Sequence, residues 1–425
     1  MGLNSQADEM TSVQSLAELN RLIQQVRQAA KSLEQVDRVS AALTAAAKAL
    51  RAESDKILEA NTLDLEASLE MALPELIIEW LKLTPERLNT AIRLVERLAN
   101  LDSATSFVCR PDLAAAPTSH SYFLGEPLGV VAVVYEALPA LAIVATGLCL
   151  RAGNGLILKG GHEASQTNQA IADVLQTVLV QTGLPEHTIL AISPREGEAA
   201  RRWLMQTSDL DLVIPYGRAS LVQQVVKEAN SRSLSSAIGN CYLYWAHTAP
   251  AEFVAKIVLD SQQGIPEPVN GIEKILVNAK ISATALDELQ QLLQAGGLVP
   301  EIMSAPPGLD FDRSGEKDIW REAQLNRSVL LCRVPDLSTA IALINEYSHG
   351  HADCLVTNSY QESVQFTNQV HSAFVYVNAS PRFQRNSSQA SAIALGMSAQ
   401  RGLQGGRIGL DTLLTHKAVI QGGVP

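Results

Sequence analysis

The chain has 425 residues, of which 47% are hydrophobic, 18% charged and only 4% aromatic, and its formal net charge is −11. This length predicts two or three domains, whose cores consist mainly of Ala, Leu, Val and Ile. The acidic balance, without a clustered basic face, excludes nucleic acid and anionic membranes as expected partners. A small anionic substrate is still compatible with a local positive pocket.

Helical patterns cover the first hundred residues. The stretch from Val36 to Asn61 repeats Ala and Leu at three- and four-residue spacing. Thr84-Pro85-Glu86 combines an N-cap residue, a proline at the first helical position and an acid in the first turn, which predicts a helix from Thr84 to about Leu98. The N-terminal residues resemble no signal peptide, and no window approaches eighteen uncharged apolar residues, so we expect a cytoplasmic chain that crosses no membrane.

From Gly129 onward, short apolar runs alternate with helical segments. The predicted strands are GVVAVVYEA, GLILKG, HTILAIS and DLVIP, and the predicted helices are Pro139 to Ala152, Glu163 to Thr182, Glu196 to Met205 and one that begins near Ser220. Continuous apolar strands separated by helices predict a parallel sheet covered on both faces, which is a doubly wound α/β domain. Ligands of such domains bind at the carboxyl ends of the strands.

A second series of strands begins with CYLYW at Cys241. It continues through KILV, SVLLCRV, DCLVT and AFVYVN, with helices predicted over Ala283 to Ala295 and Leu337 to Glu346. This pattern predicts a second α/β domain. The tail from Ser387 to Pro425 is rich in Ser, Gly and Gln, and we interpret it as an excursion that packs on something else, such as another subunit.

One turn has the character of a nucleotide-binding motif. Lys159-Gly160-Gly161-His162-Glu163 lies between a predicted strand and a predicted helix, where glycines allow close backbone approach and helix amides can hold an anion. The segment is not GxGxxG, so an ordinary strand-to-helix turn is the alternative. His162-Glu163 also begins an HExxH-like string, but Gln166 stands where the second histidine of a zinc site must be.

The remaining candidate ligands and nucleophiles are weak. His349-Gly350-His351-Ala352-Asp353 offers two imidazoles without a completing carboxylate pattern, so we interpret it as a polar turn and predict no metal site. The five cysteines are scattered and lack CxxC spacing, which favours reduced thiols. Cys149 and Cys241 lie in apolar runs and are predicted core residues, whereas Cys109 and Cys354 adjoin polar residues without charges that would lower a thiol pKa.

Six segments carry a resemblance to a known family. They are PLGVVAVVYEALP (127–139), GNGLILKGGHEA (153–164), LDLVIPYG (210–217), GNCYLYW (239–245), HADCLVT (351–357) and VYVNASPRF (375–383). Together they resemble γ-glutamyl phosphate reductase, the proline-pathway branch of the aldehyde dehydrogenase superfamily, in kind, order and interval. The resemblance covers nearly the whole chain and implies an aldehyde-dehydrogenase-like fold with two doubly wound α/β domains and an oligomerisation arm.

The resemblance also implies domain boundaries and partners. Residues 1–108 and 125–239 would form a dinucleotide-binding domain, residues 240–387 a catalytic-type domain, and residues 109–124 with 401–425 the oligomerisation arm. We therefore expect a homo-oligomer, and a protein partner in the proline pathway is compatible with the resemblance.

The reaction that the resemblance implies is the NADPH-dependent reduction of L-glutamyl 5-phosphate to glutamate 5-semialdehyde. In it a thiolate attacks the acyl carbon, hydrogen-bond donors hold the developing oxyanion, and the cofactor supplies the hydride. NADP(H) is the expected cofactor, and a glutamyl phosphate-like molecule is the expected ligand. The residues assigned to the cofactor are Lys159, Gly160, Gly161, His162, Glu163, Pro215 and Gly217.

The loop GIPEPVNGIEKILV (264–277) departs from the family pattern at its most reactive position. The family places its nucleophilic cysteine directly before an asparagine that precedes a strand like KILV. Asn270 matches that asparagine, and the residue before it is Val269. The loop contains no cysteine, serine, histidine or lysine before Lys274. Cys241 is a poor substitute, because it matches a family position that holds a cysteine in addition to the nucleophile.

Three further departures fall on functional positions of the family. The family segment EARPN reads EALPA, with Leu138 and Ala140, so the asparagine amide expected at the oxyanion is missing. The family lysine after the two glycines is His162, for which Lys159 would compensate in part. Ala394 stands where the family has a glutamate after a glycine-rich stretch.

Two hypotheses about function follow from these departures. The first is a divergent paralogue that lacks the thioester route, retains a dinucleotide or substrate-like ligand, and acts as a regulatory or assembly partner. The second is an active NADPH-dependent reductase that uses other groups, for example by direct hydride transfer to the acyl phosphate.

Overall fold

The structure is a computed structural model that describes residues 15–101, 107–109, 120–193, 197–234, 236–264, 267–303, 316–387, 393–398 and 406–422. The chain divides into two compact units. Unit 1 comprises residues 1–235, 385–395 and 407–425, and unit 2 comprises residues 236–384 and 396–406.

Five helices precede the first sheet, as the sequence predicts. They are α1 (Leu16–Ala30), α2 (Val36–Ala52), α3 (Ser54–Glu70), α4 (Glu75–Leu81) and α5 (Pro85–Ala99). The predicted cap of α5 is confirmed, because the Thr84 hydroxyl accepts a hydrogen bond from the Arg87 amide at 3.2 Å. The buried faces of α2 and α5 are rich in Ala and Leu, whereas α3 buries the polar side chains Asn61, Asp64 and Ser68.

The sheet of unit 1 is parallel and contains β3 (Val130–Tyr135), β4 (Gly155–Lys159), β5 (Ile189–Ala191) and β6 (Leu212–Gly217) in the order β5-β4-β3-β6. The connecting helices are α6 (Ala140–Arg151), α7 (Ser165–Gln181) and α8 (Gly197–Gln206), and α9 (Ala219–Glu228) follows β6. Every strand residue of β3, β4, β5 and β6 is buried, which explains the unbroken apolar runs in the sequence. A short strand, β7 (Ser236–Ala237), follows α9.

A separate antiparallel sheet joins the two segments predicted to form an oligomerisation arm. It contains β1 (Phe107–Cys109), β2 (His120–Pro127) and β16 (Leu414–Gln421) in the order β1-β2-β16, with Leu414 opposite Pro127 and Gln421 opposite His120. Residues 110–119 and 399–405 lie outside the described residues. The role of this sheet in oligomerisation stays a prediction.

Unit 2 contains a six-stranded parallel sheet in the order β10-β11-β9-β8-β12-β13. The strands are β8 (Cys241–Trp245), β9 (Ile272–Asn278), β10 (Val299–Met303), β11 (Ser328–Val334), β12 (Ala352–Val356) and β13 (Phe374–Val377). The helices are α10 (Ala251–Ser261), α11 (Ala283–Ala295), α12 (Glu316–Arg321), α13 (Leu337–Tyr347) and α14 (Tyr360–Gln369). All five predicted strands are confirmed, and apolar clusters cover both faces of the sheet.

One strand of this sheet was not predicted. The edge strand β10 reads VPEIM and buries only Pro300 fully, so it lacks the continuous apolar run that marks the central strands. Two short strands, β14 (Ala394–Ser398) and β15 (Gly406–Gly409), complete the described elements. None of the helices in the described part of the chain is long and apolar enough to cross a membrane.

Candidate functional site

The carboxyl ends of β3, β4 and β6 lie side by side in unit 1, which is where a doubly wound domain binds its ligands. Val134 is in register with Lys159 on one side and with Pro215 on the other, and Tyr135 is opposite Tyr216. The residues assigned to the cofactor therefore come together at one end of the first sheet. Pro215 is a buried strand residue there, whereas the others lie at or beyond the strand ends.

The space left open by the two glycines after β4 is filled by side chains of the chain itself. A Cβ at position 160 would stand 2.2 Å from the Asn168 amide nitrogen, and a Cβ at position 161 would stand 2.1 Å from a Glu163 carboxylate oxygen. Asn168 is fixed by a 3.0 Å hydrogen bond that its side-chain oxygen accepts from the Tyr135 hydroxyl. The glycines thus leave room for the side chains of Asn168 and Glu163, and their role in cofactor binding stays a prediction.

Gly217 likewise makes room for an internal side chain. Its φ is +152°, and a Cβ there would stand 2.5 Å from Glu136 Cγ. The Glu136 carboxylate accepts hydrogen bonds from the Arg218 backbone amide and from the Arg218 guanidinium, with Nη2–Oε2 at 3.0 Å. A second carboxylate binds the turn after β3: Glu163 accepts a 2.6 Å hydrogen bond from the Ala137 amide.

The amides at the start of α7 are also bound internally. The sequence predicted a helix directly after the glycines, but a 3₁₀ turn over His162–Ala164 intervenes and α7 begins at Ser165. The buried Asp64 carboxylate, on α3, accepts hydrogen bonds from the Gln166 amide at 3.0 Å and from the Thr167 amide at 2.8 Å. The expectation that these helix amides hold a cofactor anion therefore needs correction, since a carboxylate of the chain already occupies them.

The two basic side chains of this turn differ in exposure. Lys159 is buried, and its ammonium donates a 3.0 Å hydrogen bond to the carbonyl of Gly160. His162 is exposed. Glu136, Glu163 and Asp64 accept hydrogen bonds from backbone amides at this end of the sheet. Cofactor binding by the assigned residues stays a prediction.

In unit 2, Val269 lies between α10 and β9. It is buried, its amide donates a 3.0 Å hydrogen bond to the Glu267 carbonyl, and its own carbonyl accepts one from the Gly239 amide at 2.7 Å. Gly239 has no room for a side chain, because a Cβ there would stand 2.8 Å from that same carbonyl and 2.9 Å from the sulfur of Cys241. The backbone at position 269 is held firmly, and its side chain is a hydrocarbon.

Asn270, which matches the family asparagine, supports the same loop. Its side-chain amide donates a 3.0 Å hydrogen bond to the Pro381 carbonyl, and within the described residues its side-chain oxygen has no hydrogen-bond partner. Lys274 is fully buried in β9 and forms a 3.2 Å ion pair with Glu273. Burial lowers the pKa of Lys274, and its ammonium also donates a hydrogen bond to the Glu322 carbonyl at 2.6 Å, so the described contacts are structural.

The segment from His349 to Asp353 leads into β12, with His349 half-buried and with His351 and Asp353 buried. His349 Nδ1 accepts a 3.2 Å hydrogen bond from the Asn240 amide. Burial lowers the pKa of His351 to about 3 and raises the pKa of Asp353 to about 6. In the described part of the chain, no group of three or more His, Cys, Asp or Glu side chains is arranged to hold a metal ion.

The thiols that the structure describes are buried and poorly ionisable. Burial raises the pKa of Cys149 to about 12 and that of Cys332 to about 11. Burial also raises the pKa of Cys241 and Cys354 well above the ordinary range. The prediction that Cys149 and Cys241 are core residues is confirmed, whereas the side chain of Cys109 lies outside the described residues.

The other departures from the family pattern lie in unit 1. Ala140 is the first residue of α6, after a turn in which Ala137 has a φ of +54° and Leu138 is buried. Ala394 is fully buried at the start of β14, and its amide donates a 3.2 Å hydrogen bond to the Arg385 carbonyl. Neither alanine carries a polar side-chain group.

The class of protein is given by comparison with known families. Residues 7–239 match the family model described as the aldehyde dehydrogenase family. A crystal structure of γ-glutamyl phosphate reductase from Thermotoga maritima superposes with a TM-score of 0.82, covering 96% of this chain and 99% of that one at 26% identity. The predicted aldehyde-dehydrogenase-like α/β fold is confirmed.

Sequence relatives narrow the class further. Gamma-glutamyl phosphate reductase 2 of Synechocystis sp. is 39% identical over 97% of this chain and 99% of its own length. Gamma-glutamyl phosphate reductase of Gloeobacter violaceus is 35% identical over 90% of this chain and 91% of its own length. The chain belongs to the γ-glutamyl phosphate reductases of the aldehyde dehydrogenase family.

Sequence reasoning missed the residues that fill the carboxyl end of the first sheet. Asp64 and Arg218 lie in no site motif that the sequence analysis identified, and Asp64 is 102 and 103 residues away from the amides it binds. A signal was present only for Glu136, which ends the apolar run GVVAVVYEA with a charge at a strand terminus.

Proposed function

We propose that this chain keeps the fold of γ-glutamyl phosphate reductase but does not run the reduction of L-glutamyl 5-phosphate through a thioester, and that it serves as a regulatory or assembly partner in the proline pathway. The observation that carries the proposal is Val269, a buried hydrocarbon side chain on a firmly held backbone at the position that the family resemblance assigns to the nucleophile.

The chemistry gives this position its weight. Acyl transfer to an enzyme needs a nucleophile with a free electron pair, and the thiolate is the reactive form of cysteine. A valine side chain offers no such pair, so no acyl-enzyme bond can form at position 269. Removal of a covalent nucleophile lowers the rate by several orders of magnitude in enzymes where it has been measured.

The thiols in the described residues do not offer a replacement. A buried cysteine with a raised pKa is a thiol at neutral pH and is closed to substrate. Cys241 is the described thiol whose sulfur lies beside Gly239, the residue that binds the Val269 carbonyl, and it is fully enclosed. The absence of polar side chains at Ala140 and Ala394 is consistent with the same loss.

The test is the reverse reaction of purified protein with glutamate 5-semialdehyde, phosphate and NADP⁺, followed by the absorbance of the reduced cofactor. The Thermotoga maritima relative assayed in parallel is the positive control. We expect no turnover above the protein-free rate. Turnover within about a hundredfold of typical enzymes would refute the proposal and would support the second hypothesis, an active reductase that uses other groups.

A partner role is tested separately from turnover. Co-purification of the tagged chain with the other enzymes of proline synthesis from the source cells, followed by reconstitution with each purified candidate, reports a direct complex. A change in the activity of a bound enzyme on addition of this chain is the expected result, and the absence of any complex with those enzymes would remove the assembly role.

A further inference from the structure

We infer that an open groove along α10 in unit 2 binds a free amino acid with an apolar side chain, whose carboxylate is held by Lys256 and whose ammonium group is held by Glu252. The groove has a volume of about 720 Å³, which lies within the range of small-molecule sites. The inference goes beyond the proposed function, because it names a ligand that the chain binds without converting it.

Most of the groove surface is hydrocarbon. Ala255 and Ile257 are buried residues of its lining, Leu259 and Leu292 are half-buried, and Phe253 is 36% exposed. An aromatic ring and two leucines that reach solvent at one place form a surface that an alkyl side chain would remove from water. This part of the groove favours a ligand with an apolar body.

Two opposite charges lie one helical turn apart on the same groove. Glu252 and Lys256 are both exposed, and neither side chain forms an ion pair or hydrogen bond with any residue that the structure describes. The next acid on this side of α10, Asp260, is bound by Arg382, with Nη1–Oδ1 at 3.3 Å. An unpaired ammonium beside an unpaired carboxylate is complementary to the carboxylate and ammonium of a zwitterion.

The turn that forms the opposite wall is already fixed in place. Asn378 has a φ of +54°, a conformation that costs free energy in a residue with a side chain. Its side chain accepts a 2.9 Å hydrogen bond from the Thr357 amide and donates a 2.8 Å hydrogen bond to the Thr357 carbonyl. Ser380 also lines the groove, and its hydroxyl proton has no acceptor among the described residues, so it can donate to the carboxylate that Lys256 holds.

The same turn is connected to α10 and to the loop before β9. Arg382 Nη1 donates hydrogen bonds to Asp260 at 3.3 Å and to Gln263 Oε1 at 3.0 Å. From the loop, the Asn270 side-chain amide donates to the Pro381 carbonyl at 3.0 Å. A ligand in the groove therefore contacts a turn that also supports the loop holding position 269, which gives a regulatory chain a route from ligand to loop.

The experiment measures binding of L-proline and three comparison compounds to the full chain by ligand-observed NMR titration. Cyclopentanecarboxylate lacks the amine, pyrrolidine lacks the carboxylate, and L-glutamate replaces the apolar body with a second carboxylate. We expect a Kd of about 1 mM or tighter for proline and weaker binding of the other three.

Two substitutions separate the two charges. Lys256→Met should weaken proline by about fivefold without weakening pyrrolidine, and Glu252→Gln should weaken proline by about fivefold without weakening cyclopentanecarboxylate, which is the scale of one exposed charge pair. Lys56→Met and Glu59→Gln remove exposed charges of α3 in unit 1 and should change neither affinity. Ala379→Trp fills the groove from an exposed position and should abolish binding while the urea midpoint stays at the wild-type value.

The inference is overturned if proline binds no tighter than both analogues that lack one charge, if glutamate binds tighter than proline, or if the α10 variants match the α3 controls. Unchanged proline binding by Ala379→Trp would also overturn it, because the ligand would then lie elsewhere. These outcomes are independent of turnover. A wild-type chain that reduces NADP⁺ with glutamate semialdehyde refutes the proposed function and leaves the groove site standing if its variants respond as expected.

Discussion

The two parallel sheets of this chain are built alike, with buried central strands and helices on both sides, yet the positions that the family resemblance assigns to function differ in their chemistry. At the carboxyl end of the first sheet the openings are filled by charged side chains, Glu136, Glu163 and Asp64, that accept hydrogen bonds from backbone amides. In the loop before β9, the position that the family resemblance assigns to the nucleophile is Val269, which offers no polar group at all.

The two cases differ in whether the functional group is still present: the amide donors of the first sheet are present beneath carboxylates, whereas the Val269 side chain has no nucleophilic group. A carboxylate on an amide can be displaced by a phosphate, because both use the same donors. A hydrocarbon in place of a nucleophile cannot be displaced by any ligand. At the first sheet the amide donors are therefore present beneath carboxylates, whereas the proposed loss at Val269 would remove the covalent step from a loop whose backbone is still held.

The largest expected effect is on turnover, when a cysteine replaces Val269 with or without an asparagine in place of Ala140. Val269→Cys restores the nucleophile but leaves Ala140 without the amide that would hold the oxyanion. We expect the single variant to stay about 10²–10³-fold slower than Val269→Cys combined with Ala140→Asn, which is the typical effect of one oxyanion donor. Reduced-cofactor formation from glutamate semialdehyde, phosphate and NADP⁺ measures both rates.

Val269→Ala combined with Ala140→Asn is the control, because it opens the same volume without a thiol. Equal rates in the single and double cysteine variants would show that the loss at Ala140 has been overvalued. A rise in the alanine control would mean that the covalent step is not what limits this chain, and the contrast between a covered and a removed site would fail.

The fold could be predicted from the sequence because burial on both faces leaves a local signature. Continuous apolar runs such as those of β3 and β9 give strands, and the Thr84 cap gives the start of α5 to the residue. β10 was not predicted, because an edge strand with a proline and a glutamate lacks a continuous apolar run. β1 was not predicted either, because a strand of three residues is too short to show an alternating pattern of apolar and polar residues.

The candidate site was predictable only where the chemistry is local in sequence. Val269 and Asn270 are neighbours in a single loop, so the sequence alone could predict that no cysteine stands at the position that the resemblance assigns to the nucleophile. The partners of the glycines could not, because Glu136 and Arg218 meet across two strands and Asp64 reaches α7 from α3. A glycine in a turn indicates room for something close, and the sequence does not say whether that is a ligand or the chain itself.

The next effect concerns the pH dependence of stability in unit 2. Burial raises the pKa of Asp353 from 3.8 to about 6, so the folded chain holds this proton more tightly than the unfolded chain. The stability that this group contributes is fully present below pH 3.8 and is lost as the pH rises to 6, a change of about 3 kcal/mol. Asp353→Asn does not titrate, so its stability relative to wild type should rise by about that amount between pH 4 and pH 7.

Urea denaturation midpoints of both proteins across this range measure the difference. His351 contributes in the opposite direction, because its pKa falls from 6.5 to about 3 and its contribution is lost as the pH decreases through that window. That contribution is common to both proteins and drops out of the difference. If the urea midpoints of wild type and Asp353→Asn change equally with pH, the pKa of Asp353 is not raised by folding, and this prediction is wrong.

The smallest effect tests whether the Asp64 carboxylate is a structural cap of α7 or occupies a position that an external anion could take. Asp64→Ala leaves the Gln166 and Thr167 amides and the Thr167 hydroxyl without their acceptor, and we expect a loss of about 2 kcal/mol in the free energy of unfolding. Asp336, the exposed cap of α13, is the matched control, and its replacement by alanine should cost about 1 kcal/mol. The Asp64→Ala denaturation is then repeated with millimolar pyrophosphate. If pyrophosphate leaves the midpoint unchanged, Asp64 is a structural cap of α7. If pyrophosphate returns the unfolding midpoint of Asp64→Ala to the wild-type value, the amides at the start of α7 can bind an anion. The prediction that the helix after the turn of Lys159 holds an anion would then be correct for the chain without the Asp64 carboxylate.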